Sequence, residues 1–267
     1  MIQPQRIGRF LAVDEYGYVQ PDVAIDRVSL RWRPLVDFVV SSLMQRRDVQ
    51  SVYIRGSIPR GLAVEGFSDA DFIYFSESDF SAADFELEQA AKTTFPFVHE
   101  LKIFRLNRAK FDKVHYPQRR PYFHMLLKTQ SLLLAGDDLA KNIERFKVGP
   151  EMVSHAFALA NEFATLPRWL SKLDNWPHQD RQLAERSMRK WISKRIVRAG
   201  FEVTMNRTDH FTRDLYLCYE QFSQFYPARS RQMYQILTNC LNGDDNPIQY
   251  KELVTFLASE SLFLLAS

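Results

Sequence analysis

Between Asp22 and Arg46 the apolar residues Ile25, Val28, Leu30, Trp32, Leu35, Phe38, Val39 and Leu43 recur near helical spacing. Pro34 interrupts that run and predicts two shorter helices in place of one. Upstream, residues 1–22 mix Gly17 and Pro21 with no periodicity and read as an irregular arm. Ser51 to Arg55 and Asp69 to Phe75 read as strands, and Val98 to Leu106 alternates as a third. Between the last two, residues 81–91 read as a helix with Ser81 as N-cap and acidic residues early. The order strand, turn, strand, helix, strand predicts an α/β (α+β) domain with a small mixed sheet. From about residue 120 helical periodicity dominates, through 126–134, 152–163, 184–199, 214–225 and 250–265. Breaks near Pro150, Pro167, Pro177, Pro227 and Pro247 separate these segments. The expected organisation is therefore a sheet-bearing domain over 1–130 and an all-α helical bundle of about five helices over 131–267.

The two predicted strands carry the chemistry. Val52-Tyr53-Ile54-Arg55 runs into the turn Gly56-Ser57-Ile58-Pro59-Arg60-Gly61, and Phe67-Ser68-Asp69-Ala70-Asp71 opens the second strand. Alternation along a strand places Asp69 and Asp71 on one face. Adjacent carboxylates repel unless a cation lies between them. A Gly-Ser turn supplies bare backbone N–H groups and a hydroxyl that suit phosphate oxygens. Together these features describe a site for a metal-bound nucleoside triphosphate. The turn has no Gly-Lys-Ser/Thr ending, which excludes a Walker A loop.

Gly56-Ser57, Arg60-Gly61 and Ser68-Asp69-Ala70-Asp71 together resemble the signature of the DNA polymerase β-like nucleotidyltransferase superfamily. The resemblance spans roughly residues 50–105, and the layout is similar to that of aminoglycoside adenylyltransferase-like proteins. It implies an Mg²⁺-dependent enzyme of the EC 2.7.7 type, using two ions and ATP or another NTP as substrate. Asp69 and Asp71 would hold both ions. Glu100, in Val98-His99-Glu100-Leu101-Lys102, would be the third carboxylate, on the catalytic ion and assisting deprotonation of the acceptor. A Glu beside Lys102 also fits half of an exposed ion pair. Gly56 and Ser57 would bind phosphate, while Arg60 fits either a phosphate contact or a brace for the loop.

Net charge is only +3, so bulk charge implies no nucleic-acid affinity, but the cations cluster. Segment 101–121 holds seven Lys/Arg against one Asp, and 181–213 holds nine against three acids. In the second segment Arg186, Lys190, Lys194 and Arg198 step by four beside an apolar stripe of Met188, Trp191, Ile192, Ile196 and Ala199, with Gly200 as a C-terminal stop. The resemblance makes Lys190 and Lys194 candidates for a triphosphate clamp; the alternative is a solvated helix face. Tyr216 and Tyr219 could stack on a base or pack a bundle core. Cys218 and Cys240 are too few for a disulfide framework, and the six His residues show no ligand spacing. The absence of a signal peptide or a long apolar run predicts a cytoplasmic protein with no membrane partner.

The sequence thus predicts transfer of an NMP, AMP from ATP foremost, onto an acceptor hydroxyl with release of pyrophosphate. A polycationic drug-like acceptor needs acids, which Glu162, Glu202, Asp209 and Glu220 could supply. The basic segments instead suit tRNA or another RNA. The competing class is a catalytically silent nucleotide-binding or interaction module, such as part of a toxin–antitoxin or defence system. Oligomeric state is not legible.

Overall fold

The computed structural model describes residues 2–77, 83–108, 111 and 120–264. The chain forms two compact units. One spans 12–146; the other comprises 147–267 together with the first eleven residues.

The first unit is built on a four-stranded mixed sheet of order β3-β2-β1-β4. Its strands are β1 (Val49–Arg55), β2 (Ala70–Ser76), β3 (Leu101–Asn107) and β4 (Ser131–Gly136). β1 lies antiparallel to both β2 and β4, and β2 runs parallel to β3. The parallel crossover needs a connecting helix, and α2 (Ala83–Thr94) supplies it. Helix α1 (Arg33–Met44) carries Pro34 in its first turn, where a missing N–H costs nothing. The predicted break at that proline is thus a helix start, preceded by a short 3₁₀ turn at Ile25–Arg27.

On one face of the sheet Val52, Ile54, Ala70, Phe72, Tyr74, Leu101 and Ile103 bury against Leu35, Val39 and Leu43 of α1 and Leu87 and Ala91 of α2. Burying one such side chain stabilises the unit by roughly 1.5–3 kcal/mol, so this layer dominates its cohesion. The opposite face packs Tyr53, Ile73 and Phe75 on Leu127 of α3 (Arg120–Gln130). β3 is an edge, and the Glu88 carboxylate of α2 accepts from its Ile103 N–H at 2.7 Å. That blunts one outward-facing donor of the edge.

The expected helix over 126–134 is a correction. α3 ends at Gln130, and residues from Ser131 form β4, paired to β1 through Arg55↔Ser131, Ile54↔Leu132 and Tyr53↔Leu133. A short apolar run reads equally as buried helix or buried strand. This pairing also moves the boundary expected at 130/131: the sheet unit extends to Phe146. The first residues join the helical unit instead, with Ile2 and Asn242 exchanging two hydrogen bonds at 3.0 Å. Ser81, Lys110, Lys113, Arg119 and Leu265 lie outside the described residues.

Among the described residues the second unit has five helices: α4 (His155–Ser171), α5 (His178–Glu202), α6 (Leu215–Phe225), α7 (Ser230–Asn242) and α8 (Lys251–Phe263). Two breaks differ from expectation. Pro167 lies inside α4, at an exposed position, and does not end it. Gly200 lies inside α5, buried. A side chain there would begin 2.5 Å from Met233 Cε and 3.2 Å from Phe222 Cδ2, so this glycine permits close packing of α5 on α6 and α7. The periodicity reading omits α7, although its buried Met233, Ile236, Leu237 and Cys240 follow helical spacing. Cys218 and Cys240 are buried free thiols, as their number implies. No helix among the described residues is long and apolar enough to cross a membrane.

Candidate active site at the end of the sheet

β1 ends at Arg55, and the chain turns at Gly56 with φ +87°, a left-handed backbone that glycine adopts without strain. The following loop is fastened from within. Leu62 N–H donates to the Ser57 carbonyl at 2.9 Å, and Gly61 N–H to that of Ile58 at 3.1 Å. Ile58 is fully buried, while Gly56 stays exposed and Ser57 half-buried. The loop re-enters through Ser68, whose hydroxyl accepts from Val64 N–H at 2.8 Å.

Asp69 stands just before β2 and Asp71 is its second residue, so both project from the face that carries Ile73 and Phe75. The ladder pairs Asp71 with Arg55 on one side and Lys102 on the other. Paired residues share a face, which makes a cross-strand row of cation, carboxylate and cation. One step back, Asp69 stands beside Glu100: Ala70 N–H donates to the Glu100 carbonyl at 2.7 Å and His99 N–H to that of Ser68 at 3.2 Å. Glu100 immediately precedes β3, which begins at Leu101 and not at Val98 as predicted. Strand spacing puts the Cα atom of Asp69 about 5 Å from that of Glu100 and about 7 Å from that of Asp71, with Asp71 and Glu100 about 8 Å apart on the diagonal.

Each outer carboxylate is engaged by a neighbouring cation. Arg55 Nη2 lies 3.3 Å from Asp71 Oδ2, and Lys102 Nζ lies 3.0 Å from Glu100 Oε2. As the side chains stand, no three Asp, Glu, His or Cys side chains among the described residues form a ready metal cluster. The donor set nevertheless fits Mg²⁺: hard carboxylate oxygens project from one sheet end, beside a turn that leaves room for phosphate. A side chain built on Gly56 would start 4.0 Å from Asp71 Oδ2, an ordinary contact that sets the turn beside that carboxylate.

Arg60 settles into a bracing position. Its side chain is 6% exposed, and its Nε donates to Asp22 Oδ2 at 2.7 Å. Asp22 is buried and also accepts from Arg27 Nη1 at 2.8 Å.

Lys190 and Lys194 belong to α5 of the helical unit and are half-buried. Lys190 passes close to Gly243 at the end of α7, and Lys194 lies near enough to buried Cys240 to oppose the rise of its thiol pKa. The other cations of the stripe are tied within the unit. Arg186 Nε donates to the Asn242 carbonyl at 2.5 Å and Arg198 Nε to that of Arg213 at 3.3 Å. Tyr219 packs edge-on to Tyr216 and Tyr234, with ring centroids 5.8 and 5.4 Å apart, in an aromatic ladder.

The acids expected to line a cationic acceptor pocket are largely consumed internally. Glu162 pairs with Arg195 at 2.9 Å and Glu220 with Arg6 at 2.9 Å. Glu202 is buried at the start of α4, where it accepts from Ser154 N–H at 3.2 Å, Ala156 N–H at 2.7 Å and His155 Nδ1 at 2.7 Å. With two amides already satisfying the carboxylate, the imidazole need not be charged. Burial lowers its pKa to about 4, against the pull of Glu202. Asp209 is exposed.

Sequence reasoning passed over Arg55. Its signal was local: a cation directly preceding the Gly-Ser turn, opposite the Asp-x-Asp strand.

The small mixed sheet with its helices and the helical second unit form a fold that is also found in a solved nucleotidyltransferase. One solved structure with this fold is spectinomycin adenyltransferase AAD(9) from Enterococcus faecialis, determined with ATP and spectinomycin. It aligns over 86% of this chain and 99% of its own, with a TM-score of 0.51 and 9% sequence identity. At that identity the likeness establishes the fold. No protein-family model and no curated protein matches the sequence.

Proposed function

We propose that the protein transfers a nucleoside monophosphate, AMP from ATP, onto a hydroxyl of a small-molecule acceptor and releases pyrophosphate. The observation that carries this reading is the strand register that sets Asp69, Asp71 and Glu100 on one face at one sheet end beside the Gly56-Ser57 turn. An adenyltransferase of this fold, solved with ATP and a small molecule, supports the choice of nucleotide and acceptor class.

Asp69 and Asp71 would hold two divalent ions between them, with Glu100 on the ion nearer the acceptor. Bound there, Mg²⁺ supplies charge neutralisation at the leaving pyrophosphate and a lowered pKa at the attacking hydroxyl. The Gly56 and Ser57 amides and the Ser57 hydroxyl orient the phosphates in line for displacement. Glu100 Oε takes the proton of the acceptor hydroxyl as the new O–P bond forms at the α-phosphorus and the bond to pyrophosphate breaks. Lys102 holds that carboxylate at the sheet end.

The small-molecule reading is preferred over RNA because Arg186, Arg189, Arg195 and Arg198, which make much of the basic character of α5, are spent on partners within the helical unit. The test is pyrophosphate release and mass analysis with ATP, Mg²⁺ and separate pools of hydroxylated small molecules and tRNA, beside an Asp69→Asn/Asp71→Asn control. An AMP-sized adduct on a small molecule, absent in the control, supports the proposal. An adduct on tRNA, with binding that weakens steeply in salt, transfers the assignment to RNA. ATP binding without any adduct assigns the silent module.

A further inference from the structure

Arg55 occupies a position that the transfer reaction as described does not use. It is the last residue of β1, one residue before the phosphate-binding turn, and its register partner is Asp71. Its guanidinium reaches across β2: Nη2 lies 3.3 Å from Asp71 Oδ2, and Cζ stands 5.2 Å from the ring centroid of Phe104 on β3. Its Nε–H is buried and meets no acceptor among the described residues. A buried charged donor left unsatisfied is costly, so the guanidinium is held in a position that does not fulfil its bonding capacity.

We propose that Arg55 is a positioning residue that couples the metal to the nucleotide. This rests on the nucleotidyl-transfer reading. The guanidinium engages the Asp71 carboxylate at 3.3 Å and balances its charge. When a metal–nucleotide complex enters, the carboxylate passes to the ion and the guanidinium to a phosphate oxygen, gaining the acceptor it lacks.

The charge balance explains why such an exchange is useful. Asp69, Asp71 and Glu100 alone present three negative charges, which would attract a free divalent ion without substrate. With Arg55 and Lys102 in place the cluster carries one net negative charge. A free ion must then displace a guanidinium that has nowhere to go, whereas a metal–nucleotide complex brings its own acceptor for it. Metal and nucleotide therefore bind with positive coupling, and linkage makes that coupling reciprocal. Phe104 steers the exchange by giving the planar guanidinium a face to slide along, which a lysine could not exploit equally.

The experiment is a Mn²⁺ titration followed by electron paramagnetic resonance, with and without the unreactive analogue α,β-methylene ATP, on the wild type, Arg55→Lys and Arg55→Gln. Arg55→Gln should bind Mn²⁺ more tightly than wild type without nucleotide, by roughly tenfold, towards the lower end of the usual range for coupled sites. It should also lose most of the enhancement that the nucleotide confers, and Arg55→Lys should fall between. A second measurement requires no stable variant: the Arg55 Nε–H resonance of the wild type should shift on adding Mg²⁺ with the analogue, and not with the analogue in chelator. Unchanged Mn²⁺ affinity and unchanged enhancement in Arg55→Gln overturn the proposal while leaving nucleotidyl transfer intact. A wild type that binds no Mn²⁺ even with nucleotide removes both.

Discussion

Replacing Arg60 separates two roles that the motif alone leaves open. The guanidinium is buried against Asp22, a residue far away in sequence that Arg27 also touches. Breaking a buried pair by removing one partner destabilises by about 3–5 kcal/mol, chiefly by leaving a charge uncompensated. In Arg60→Ala the stranded Asp22 keeps the Arg27 contact at 2.8 Å, so the loss should fall at the lower end, about 3 kcal/mol. In Asp22→Ala both arginines lose that carboxylate, Arg27 keeping only the residue-22 carbonyl at 3.2 Å, and Arg60 stays buried, so the loss should approach about 5 kcal/mol. At about 2–4 °C per kcal/mol for a domain of this size, Arg60→Ala should lower Tm by roughly 9 °C.

Urea unfolding and calorimetry of wild type, both single variants and an Arg60→Met/Asp22→Leu double variant measure this. The double variant should recover most of the stability, because an apolar pair of similar volume avoids the desolvation cost. Nucleotide affinity completes the test. If Arg60 braces the loop, Asp22→Ala weakens nucleotide binding about as much as Arg60→Ala does, since both release the same turn. The reasoning is refuted if Arg60→Ala unfolds within about 0.5 kcal/mol of wild type and loses nucleotide affinity that Asp22→Ala retains. That result would place the guanidinium on phosphate.

Three further outcomes follow from the helical unit. Buried His155 is held neutral with its pKa lowered to about 4, so the unfolded chain takes up a proton before the folded one does. The stability it contributes is complete above about pH 6.5 and falls by about 3 kcal/mol as pH drops towards 4; the slope of urea stability between pH 7 and 4.5 should flatten in His155→Asn. Burial pushes the Cys240 thiol up to about 12 and raises that of Cys218 as well, so neither should react with a thiol reagent at pH 8 until denaturant is added. Gly200→Val should cost about 1–3 kcal/mol by overpacking against Met233 and Phe222, read from the unfolding midpoint. Gly200→Ala should be nearly neutral, because it meets chiefly the movable end of Met233 and gains about 1 kcal/mol of helix propensity.

How much of this was legible depended on the range over which each feature is decided. The strand pair and the Gly56 turn are written in contiguous residues, and alternation alone puts Asp69 and Asp71 on one face. Glu100 was named through the family resemblance, which expects a third carboxylate on a neighbouring strand, and the backbone pairing sets it beside Asp69. β4 was not findable by periodicity: Leu132, Leu133 and Leu134 form a run that a helix would also tolerate, and only pairing with β1 decides it. Gly200 reads as a helix stop because glycine commonly ends helices; the packing of Phe222 and Met233 that makes it an interior contact comes from elements far along the chain. Glu202 offered no local signal either, since its partners lie in the segment 154–156.

The charges make the sharpest case. Arg55 and Arg60 flank the same turn, five positions apart, and the motif resemblance names only Arg60, as either a phosphate contact or a brace. Their partners tell the two apart. Asp22 comes from outside the motif and takes Arg60 out of solvent, whereas Asp71 comes from inside it and keeps Arg55 at the carboxylate cluster. A cation near a glycine turn is available to a ligand only if no buried acid claims it, and which acid does so is settled by chain crossings that local sequence does not encode. The same test applies to α5. Arg186, Arg195 and Arg198 have carbonyl or carboxylate partners drawn from α7, α4 and the segment before α6, so counting its positive charges overstates what the helix can offer to an anion.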